Sequence, residues 1–281
     1  MLLIRLLILT SLAMLAFAGN SLLCRAALKQ TSIDAASFTS IRLISGAIIL
    51  LLIVKLRGTR IEVGQGSWLS ASALFIYAAG FSFAYISLSA ATGALLLFGA
   101  VQITMIGYGI FGGERLLKAQ LSGLVLAFGG MVGLLLPGIS APPLLGSVLM
   151  LGAGVAWGIY SLRGKGAGDP TNVTAGNFLR TVPITLLMSL LLIKQVNLDH
   201  AGIGYAIVSG AIASGIGYAI WYMALPAMKS TNAATVQLSV PVIAAIGGVA
   251  MLGEPLTLRL VLASTAILGG IALVIYQKQN V

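Results

Sequence analysis

The chain has 281 residues, of which 59% are hydrophobic and only 8% are charged, whereas an average soluble domain has about 25% charged residues. So few polar groups cannot cover a soluble globule, so composition excludes that class and indicates a protein that folds in lipid. The net charge of +10 comes from basic residues that stand singly between apolar stretches, which argues against nucleic-acid binding. The chain has one cysteine and one histidine, which excludes an intrachain disulfide and a Cys/His metal cluster.

Ten apolar stretches are each long enough to cross a bilayer, which takes about 20 helical residues. Charged residues, glycine or proline mark their ends, and the connections between them are short. The predicted helices cover residues 5–27, 34–55, 67–87, 90–111, 118–136, 144–163, 172–193, 202–224, 230–251 and 256–276. Backbone groups in lipid must bond internally, so the predicted fold class is an all-α integral membrane protein with ten transmembrane helices.

The first stretch allows a second interpretation, a signal peptide. Arg5 precedes an apolar run, and Ala16-Phe17-Ala18 resembles a cleavage site. The apolar run continues past that site, and the stretch has a counterpart later in the chain. We therefore expect a first membrane helix.

The positions of lysine and arginine predict the orientation, because these residues concentrate in cytoplasmic loops. Ten lie near one membrane face, four lie near the other, and two are inside helices, which accounts for all 16. The ten are Arg5, Lys55, Arg57, Arg60, Arg115, Lys118, Arg163, Lys165, Lys229 and Lys278, and the four are Arg25, Lys29, Lys194 and Arg259. Both termini are therefore predicted to be cytoplasmic, in a bacterial inner membrane.

An internal repeat divides the chain. Residues 97–116 resemble residues 237–256, and two shorter matches follow at nearly the same offset. These matches predict an N-terminal five-helix repeat over 1–138 and a C-terminal one over 139–281, within one membrane domain. Because five is odd, the second repeat enters the membrane from the opposite side, and inverted repeats of this kind are typical of alternating-access transporters.

Short motifs at fixed places strengthen this interpretation. Two predicted helices end in Gly-Glu, a proline precedes the second of these pairs, and a Trp-Gly pair lies in the sixth helix. In chain order the motifs are Gly113-Glu114, Trp157-Gly158, Pro241 and Gly253-Glu254. Together with ten helices in two halves, they resemble the EamA branch of the drug/metabolite transporter superfamily. Ala18 and Val101 depart from the family pattern, which has tryptophan and proline there. The resemblance is nearest to YddG-type amino-acid exporters and implies export of amino acids or similar metabolites.

Aromatic residues recur at helical spacing in three predicted helices. They are Tyr77, Phe81 and Tyr85 in helix three, Trp157 and Tyr160 in helix six, and Tyr218, Trp221 and Tyr222 in helix eight. Core packing or an interfacial belt is the alternative interpretation, and the belt suits Tyr85 and Tyr222 near helix ends. We predict that the other rings bind substrate in a central cavity: Tyr77, Phe81, Trp157, Tyr160 and Tyr218.

Three amides, Asn20, Gln102 and Gln237, lie in mid-membrane in the predicted helices, where facing lipid would cost each of them its hydrogen bonds. Each is suited either to a hydrogen bond between helices or to a substrate, since an amide can serve both a carboxylate and an amine. We include all three among the predicted substrate-binding residues.

Five further residues are predicted to be structural or gating residues. An arginine inside the membrane is usually functional. Arg42 and Arg180, however, occupy matching places in the two predicted repeats, and a single substrate site does not require an arginine in each repeat. A scaffold role, bonded to backbone carbonyls, is at least as well supported. Glu114 and Glu254 are expected to cap neighbouring helices rather than couple ions. Pro241 is expected to kink helix nine.

The sequence therefore predicts a secondary transporter for amino acids, aromatic and apolar ones included. A drug or nucleotide-sugar carrier of the same fold and a polytopic membrane enzyme are the alternatives. No catalytic residues are predicted, because His200, Asp199 and Cys24 form no recognisable cluster. We expect no cofactor, metal or nucleic acid; the partners are the solute and lipid, and the chain acts as a monomer or weak homodimer. All six acidic residues fall in loops or at helix ends, which predicts transport without a proton relay.

Overall fold

The computed structural model describes residues 2–58, 65–113, 117–138, 140–164, 168–228 and 236–279. These residues form ten helices and no strand, which confirms the predicted all-α class. The helices are α1 Leu2–Gln30, α2 Ala35–Leu56, α3 Trp68–Tyr85, α4 Ala90–Phe111, α5 Lys118–Leu135, α6 Leu144–Gly164, α7 Pro170–Leu191, α8 His200–Ala224, α9 Ser239–Leu252 and α10 Leu258–Gln279. Within the described residues, seven are long and apolar enough to cross a membrane, and α5, α9 and α10 contribute the shorter apolar segments Gln120–Leu135, Ser239–Leu252 and Leu258–Val274.

Short polar side chains fix where several helices begin. Each accepts a hydrogen bond from a backbone N–H two or three residues further on, which satisfies a donor that the first helical turn leaves free. These N-cap residues are Asp34, Ser67, Ser89, Asp169 and Asp199. The local sequence thus determines these helix starts, and the predicted starts lie within a few residues of them.

Two groups of three helices form the centre of the molecule. In lobe A, α6 packs along α3 and α4; in lobe B, α1 packs along α8 and α9. Of the other helices, α2 packs against both α7 and α8, and α5 packs against α10. The two lobes also contact each other directly, where α4 packs against α9. Each lobe combines the first helix of one sequence half with the third and fourth helices of the other. Residues 1–138 and 139–281 therefore interleave and do not form separate compact units.

The middle of α8, Val208–Ile216, is π-helical, which the sequence did not predict. Gly210 in this segment lies directly on α2, where a Cβ would meet the carbonyl oxygen of Arg42. Ser209 and Ser214 from the same segment are at most 1% exposed. The wider turns of a π-helix often occur at functional sites, and this one brings two hydroxyls into the interior.

The ninth predicted helix is interrupted near its start. Its first predicted residues, 230–235, lie outside the described residues, and a turn at Leu238 precedes Ser239–Leu252. Pro241 has no N–H to donate to the carbonyl of Gln237, four residues earlier, which explains a break at this point.

Candidate substrate-binding site

Aromatic side chains from five helices meet in the interior. Trp157 of α6 is central: its ring centroid lies 4.7 Å from that of Tyr77 and 5.0 Å from that of Tyr218. Tyr160 lies 5.5 Å from Trp157 on the same helix, and Phe17 of α1 faces Trp157 edge-on at 6.4 Å. We call the set the ring cluster: Phe17, Tyr77, Phe81, Tyr85, Trp157, Tyr160, Phe178, Tyr218 and Trp221.

The ring cluster lies between the two lobes. Tyr77 and Trp157 belong to lobe A, whereas Phe17 and Tyr218 belong to lobe B, so the contacts of Trp157 with Phe17 and Tyr218 cross from one lobe to the other. Every ring of the cluster is at most 8% exposed. The rings contact one another in this conformation, and a solute would have to separate them.

All five rings predicted to bind substrate lie in the ring cluster. Tyr85, for which an interfacial belt was an alternative, is fully buried and packs against Phe81 at 4.7 Å. Phe17 and Phe178 were not singled out from the sequence. A signal for Phe17 was present, because it immediately precedes Ala18, the position where the family pattern has tryptophan.

Arg42 of α2 lies beside the rings and is 1% exposed. Its Nη2 donates to the hydroxyl of Tyr77 at 3.1 Å, and its Nε donates to the hydroxyl of Ser214 at 3.3 Å. The guanidinium carbon lies 5.3 Å from the ring centroid of Tyr77 and 4.9 Å from that of Phe81. These are cation–π distances, so two rings partly compensate the burial of this charge.

The predicted amides differ in their surroundings. Asn20 joins the same network: its Nδ2 donates to the Tyr77 hydroxyl at 3.4 Å, and its Oδ1 accepts from Ser209 at 2.6 Å. Gln102 is buried on α4, and its Nε2 has no hydrogen-bond partner among the described residues. Gln237 is 8% exposed, next to the break in α9. Asn20 is thus the amide that the structure connects to the rings and to Arg42 through a shared hydroxyl.

The second intramembrane arginine is bonded differently. Nη1 of Arg180 donates to the backbone carbonyl of Gln65 at 2.7 Å and to that of Gly176 at 2.9 Å. This is the scaffold arrangement expected of both arginines. Arg42, which the predicted repeat matches to Arg180, bonds side-chain hydroxyls instead, so the two arginines differ in their hydrogen bonding.

Glu254 connects the two lobes at the end of α9, where it is 5% exposed. Oε1 accepts from Nε of Arg25 at 2.8 Å, and Oε2 accepts from the backbone N–H of Ala90 at 2.8 Å. Arg25 also donates to the carbonyl of Tyr85 at 2.9 Å. We call this arrangement the latch. Glu254 caps the N-terminus of α4, while Glu114, its predicted counterpart, lies outside the described residues.

The connections after α1 and α7 meet at the latch end of α1. Asp34 Oδ2 accepts from the backbone N–H of Asn197 at 2.9 Å, and Asp199 Oδ2 accepts from that of Ser32 at 3.0 Å. Burial raises the pKa of Asp34, but hydrogen bonds from Ser37 and Asn197 outweigh it, so the pKa lies below its usual value. The Gly202 N–H likewise lowers the pKa of Asp199. Both groups therefore stay ionised at neutral pH and are unsuited to proton exchange there.

Comparison with known proteins identifies the family. An uncharacterized protein of Pseudomonas aeruginosa is 58% identical over 271 residues, which cover 96% of this chain and 94% of that protein. Residues 144–276 match the model of the EamA-like transporter family. The chain belongs to the EamA family. Members of this family are transporters, not enzymes, so the chain is a multi-pass membrane transporter with a small-molecule substrate.

More distant relatives cover less of the EamA chain. An uncharacterized transporter of Archaeoglobus fulgidus is 29% identical over 182 residues, which is 60% of this chain and 62% of that protein. The threonine/homoserine exporter RhtA of Escherichia coli is 32% identical over 136 residues, so the match spans 46% of this chain and 45% of the exporter. One solved crystal structure aligns with this protein at a TM-score of 0.71 and 19% sequence identity. The alignment covers 97% of this chain and 98% of the chain in the crystal structure, so the two proteins share a fold.

Proposed function

We propose that this transporter exports amino acids, aromatic and apolar ones included, and related small metabolites across the bacterial inner membrane. The observation that carries the proposal is the ring cluster between the lobes, together with the polar groups of Arg42, Tyr77 and Asn20 beside it. Ring faces accept apolar side chains, and amide, hydroxyl and guanidinium groups bind a carboxylate and an amine. The similarity to a threonine/homoserine exporter supports amino acids as the solute class.

We infer that transport proceeds by alternating access between two inverted five-helix repeats, 1–138 and 139–281. The helix pairing supports this, because it recurs when helix numbers are shifted by five. The contact of α6 with α3 corresponds to that of α1 with α8, and α6 with α4 corresponds to α1 with α9. Two halves related in this way can exchange conformations, which opens the opposite end of the molecule. The latch closes one end in the described conformation.

We also infer ten membrane crossings with both termini in the cytoplasm, which places the latch at the periplasmic end. The reason is the asymmetry of lysine and arginine between the two faces. A reporter fused after Lys278 is expected to give a cytoplasmic signal, and one inserted within 137–143 a periplasmic signal. A periplasmic signal at the C-terminus would contradict this orientation.

The experiment that tests the function is flux of radiolabelled phenylalanine and threonine in proteoliposomes that contain only this protein. We expect saturable flux down the solute gradient, competed by apolar amino acids and independent of an imposed pH gradient. The sequence predicts all six acidic residues in loops or at helix ends, so we expect no carboxylate to relay protons through the site. Flux of a nucleotide sugar or a cationic drug, with none of either amino acid, would favour the alternative carriers.

A further inference from the structure

Arg42 carries a buried charge, and no carboxylate of the described residues lies beside it. Its side chain is 1% exposed, in the first half of α2. Among the described residues the only ion pair joins Arg25 and Glu254, so no described carboxylate lies within 4.0 Å of the Arg42 guanidinium. An isolated buried charge is strongly unfavourable, so such a group usually has a partner in at least one functional state.

The guanidinium also has unused hydrogen-bond donors. Nε and Nη2 donate to Ser214 and Tyr77, but Nη1 is buried and has no hydrogen-bond partner among the described residues. A guanidinium has five N–H groups and no acceptor, so Nη1 can be satisfied only by an acceptor. Buried donors without partners are rare in folded proteins and need a specific explanation.

A structural role does not supply that explanation. Arg180, at the matching repeat position, donates to two backbone carbonyls as a scaffold arginine does. Arg42 instead is held by two hydroxyls and lies over the rings of Tyr77 and Phe81. These contacts fix the plane of the guanidinium next to the rings while leaving Nη1 unbonded.

We propose that Arg42 is the carboxylate-binding residue of the substrate site and selects solutes that carry a carboxylate over those that carry only an amine. The assignment rests on the proposed function, because it requires the solute to enter the ring cluster. A carboxylate bound to Nη1 and Nη2 neutralises the charge and satisfies the unbonded donor in a two-pronged geometry. The apolar part of the solute then contacts the rings beside Arg42.

The test measures binding of three phenyl compounds to the purified, detergent-solubilised protein by calorimetry. L-Phenylalanine has both charged groups, 3-phenylpropionate has only the carboxylate, and phenethylamine has only the amine. We expect the wild type to bind both acids more than about tenfold tighter than phenethylamine, as a charged hydrogen-bonded pair implies. In Arg42→Gln the ratio of the phenethylamine dissociation constant to that of either acid should fall close to one. In Arg42→Lys this ratio should be intermediate, since lysine keeps the charge but not the planar fork.

The matched control is Arg180→Gln, which removes the other intramembrane arginine and should keep the wild-type ratio. The assignment is overturned if Arg42→Gln keeps the wild-type ratio. It is also overturned if the wild type binds phenethylamine as tightly as 3-phenylpropionate, or if it binds neither acid. If 3-phenylpropionate binds through Arg42 but phenylalanine does not bind, the assignment stands and amino-acid export fails. If phenylalanine binds equally well to Arg42→Gln, export stands and the assignment fails.

Discussion

Replacing Trp157 with alanine is expected to weaken the apparent affinity for phenylalanine in proteoliposomes by about 30-fold, because a central aromatic anchor contributes about 2 kcal/mol to binding. Trp157 contacts rings of both lobes and is the centre of the ring cluster. Its loss removes apolar area at the point where the proposed site crosses between the lobes. Trp157→Phe keeps an aromatic ring at this position and should weaken the apparent affinity for phenylalanine less than Trp157→Ala does.

The control for this variant is Trp68→Ala, since Trp68 begins α3 and is 59% exposed. It removes the same side chain far from the rings and should leave the affinity unchanged. A buried Trp→Ala change also destabilises a core by about 3–5 kcal/mol, so each variant is first checked for a single folded species by size-exclusion chromatography. Wild-type affinity and rate in folded Trp157→Ala would exclude a substrate site on this ring.

Replacing Glu254 with alanine is expected to lower the free energy of unfolding by about 3–5 kcal/mol, the range for breaking a buried ion pair. The change leaves Arg25 without its anion and the first N–H of α4 without its acceptor. Both groups of the pair are largely buried, with 12% and 5% of their side chains exposed, so water replaces little of what is lost. Thermal unfolding in detergent, followed by circular dichroism, measures the effect.

Two further variants separate charge from hydrogen bonding at Glu254. Glu254→Gln keeps an oxygen that can accept from Ala90 but loses the charge, so it should lower the free energy of unfolding less than Glu254→Ala does. Asp169→Ala removes an exposed carboxylate that caps α7, and we expect it to lower the free energy of unfolding by about 1 kcal/mol. If Glu254→Ala melts like Asp169→Ala, the latch contributes no more than an ordinary helix cap.

The helices and the ring stripe could be predicted because both depend on short-range spacing. A run of apolar residues is long enough to cross lipid or it is not, and rings four residues apart must share a helix face. Tyr77 and Phe81 were therefore placed correctly beside each other, and their ring centroids are 5.5 Å apart. The interruption of helix nine likewise follows from the missing N–H of Pro241.

The partners of individual polar groups could not be predicted, because they depend on how helices distant in sequence approach each other. Arg25 was counted only as a charge near one membrane face, although it pairs with Glu254, 229 residues away. Arg42 and Arg180 match in sequence, yet one is bonded to hydroxyls and the other to carbonyls. The π-helical turns of α8, which bring Ser214 to Arg42, depart from the regular periodicity on which sequence reasoning relies.

Solute is expected to pass when the two lobes move apart at the latch end, and a reversible cross-link between the lobes can block that movement. A Cβ at Gly248 of α9 would lie 3.5 Å from the Cβ of Ala90 in α4, which suits a disulfide between the lobes. The same Cβ would lie 2.9 Å from Oε2 of Glu254, so the Glu254 side chain must shift, and the reduced pair is therefore the reference for the oxidised one. The pair Ala90→Cys with Gly248→Cys is made in a Cys24→Ala background, because Cys24 is the one native cysteine. As a control, Gly80→Cys with Ala153→Cys joins two helices within lobe A, where the corresponding distance is 3.3 Å.

The measurement is phenylalanine flux in proteoliposomes before and after oxidation, with the cross-linked fraction read on non-reducing gels. We expect oxidation to stop flux through the protein with the lobe-to-lobe pair and a reductant to restore it. The protein with the pair within lobe A should transport equally well in both states. Undiminished flux through fully oxidised Ala90→Cys/Gly248→Cys protein would contradict alternating access by separation of the lobes.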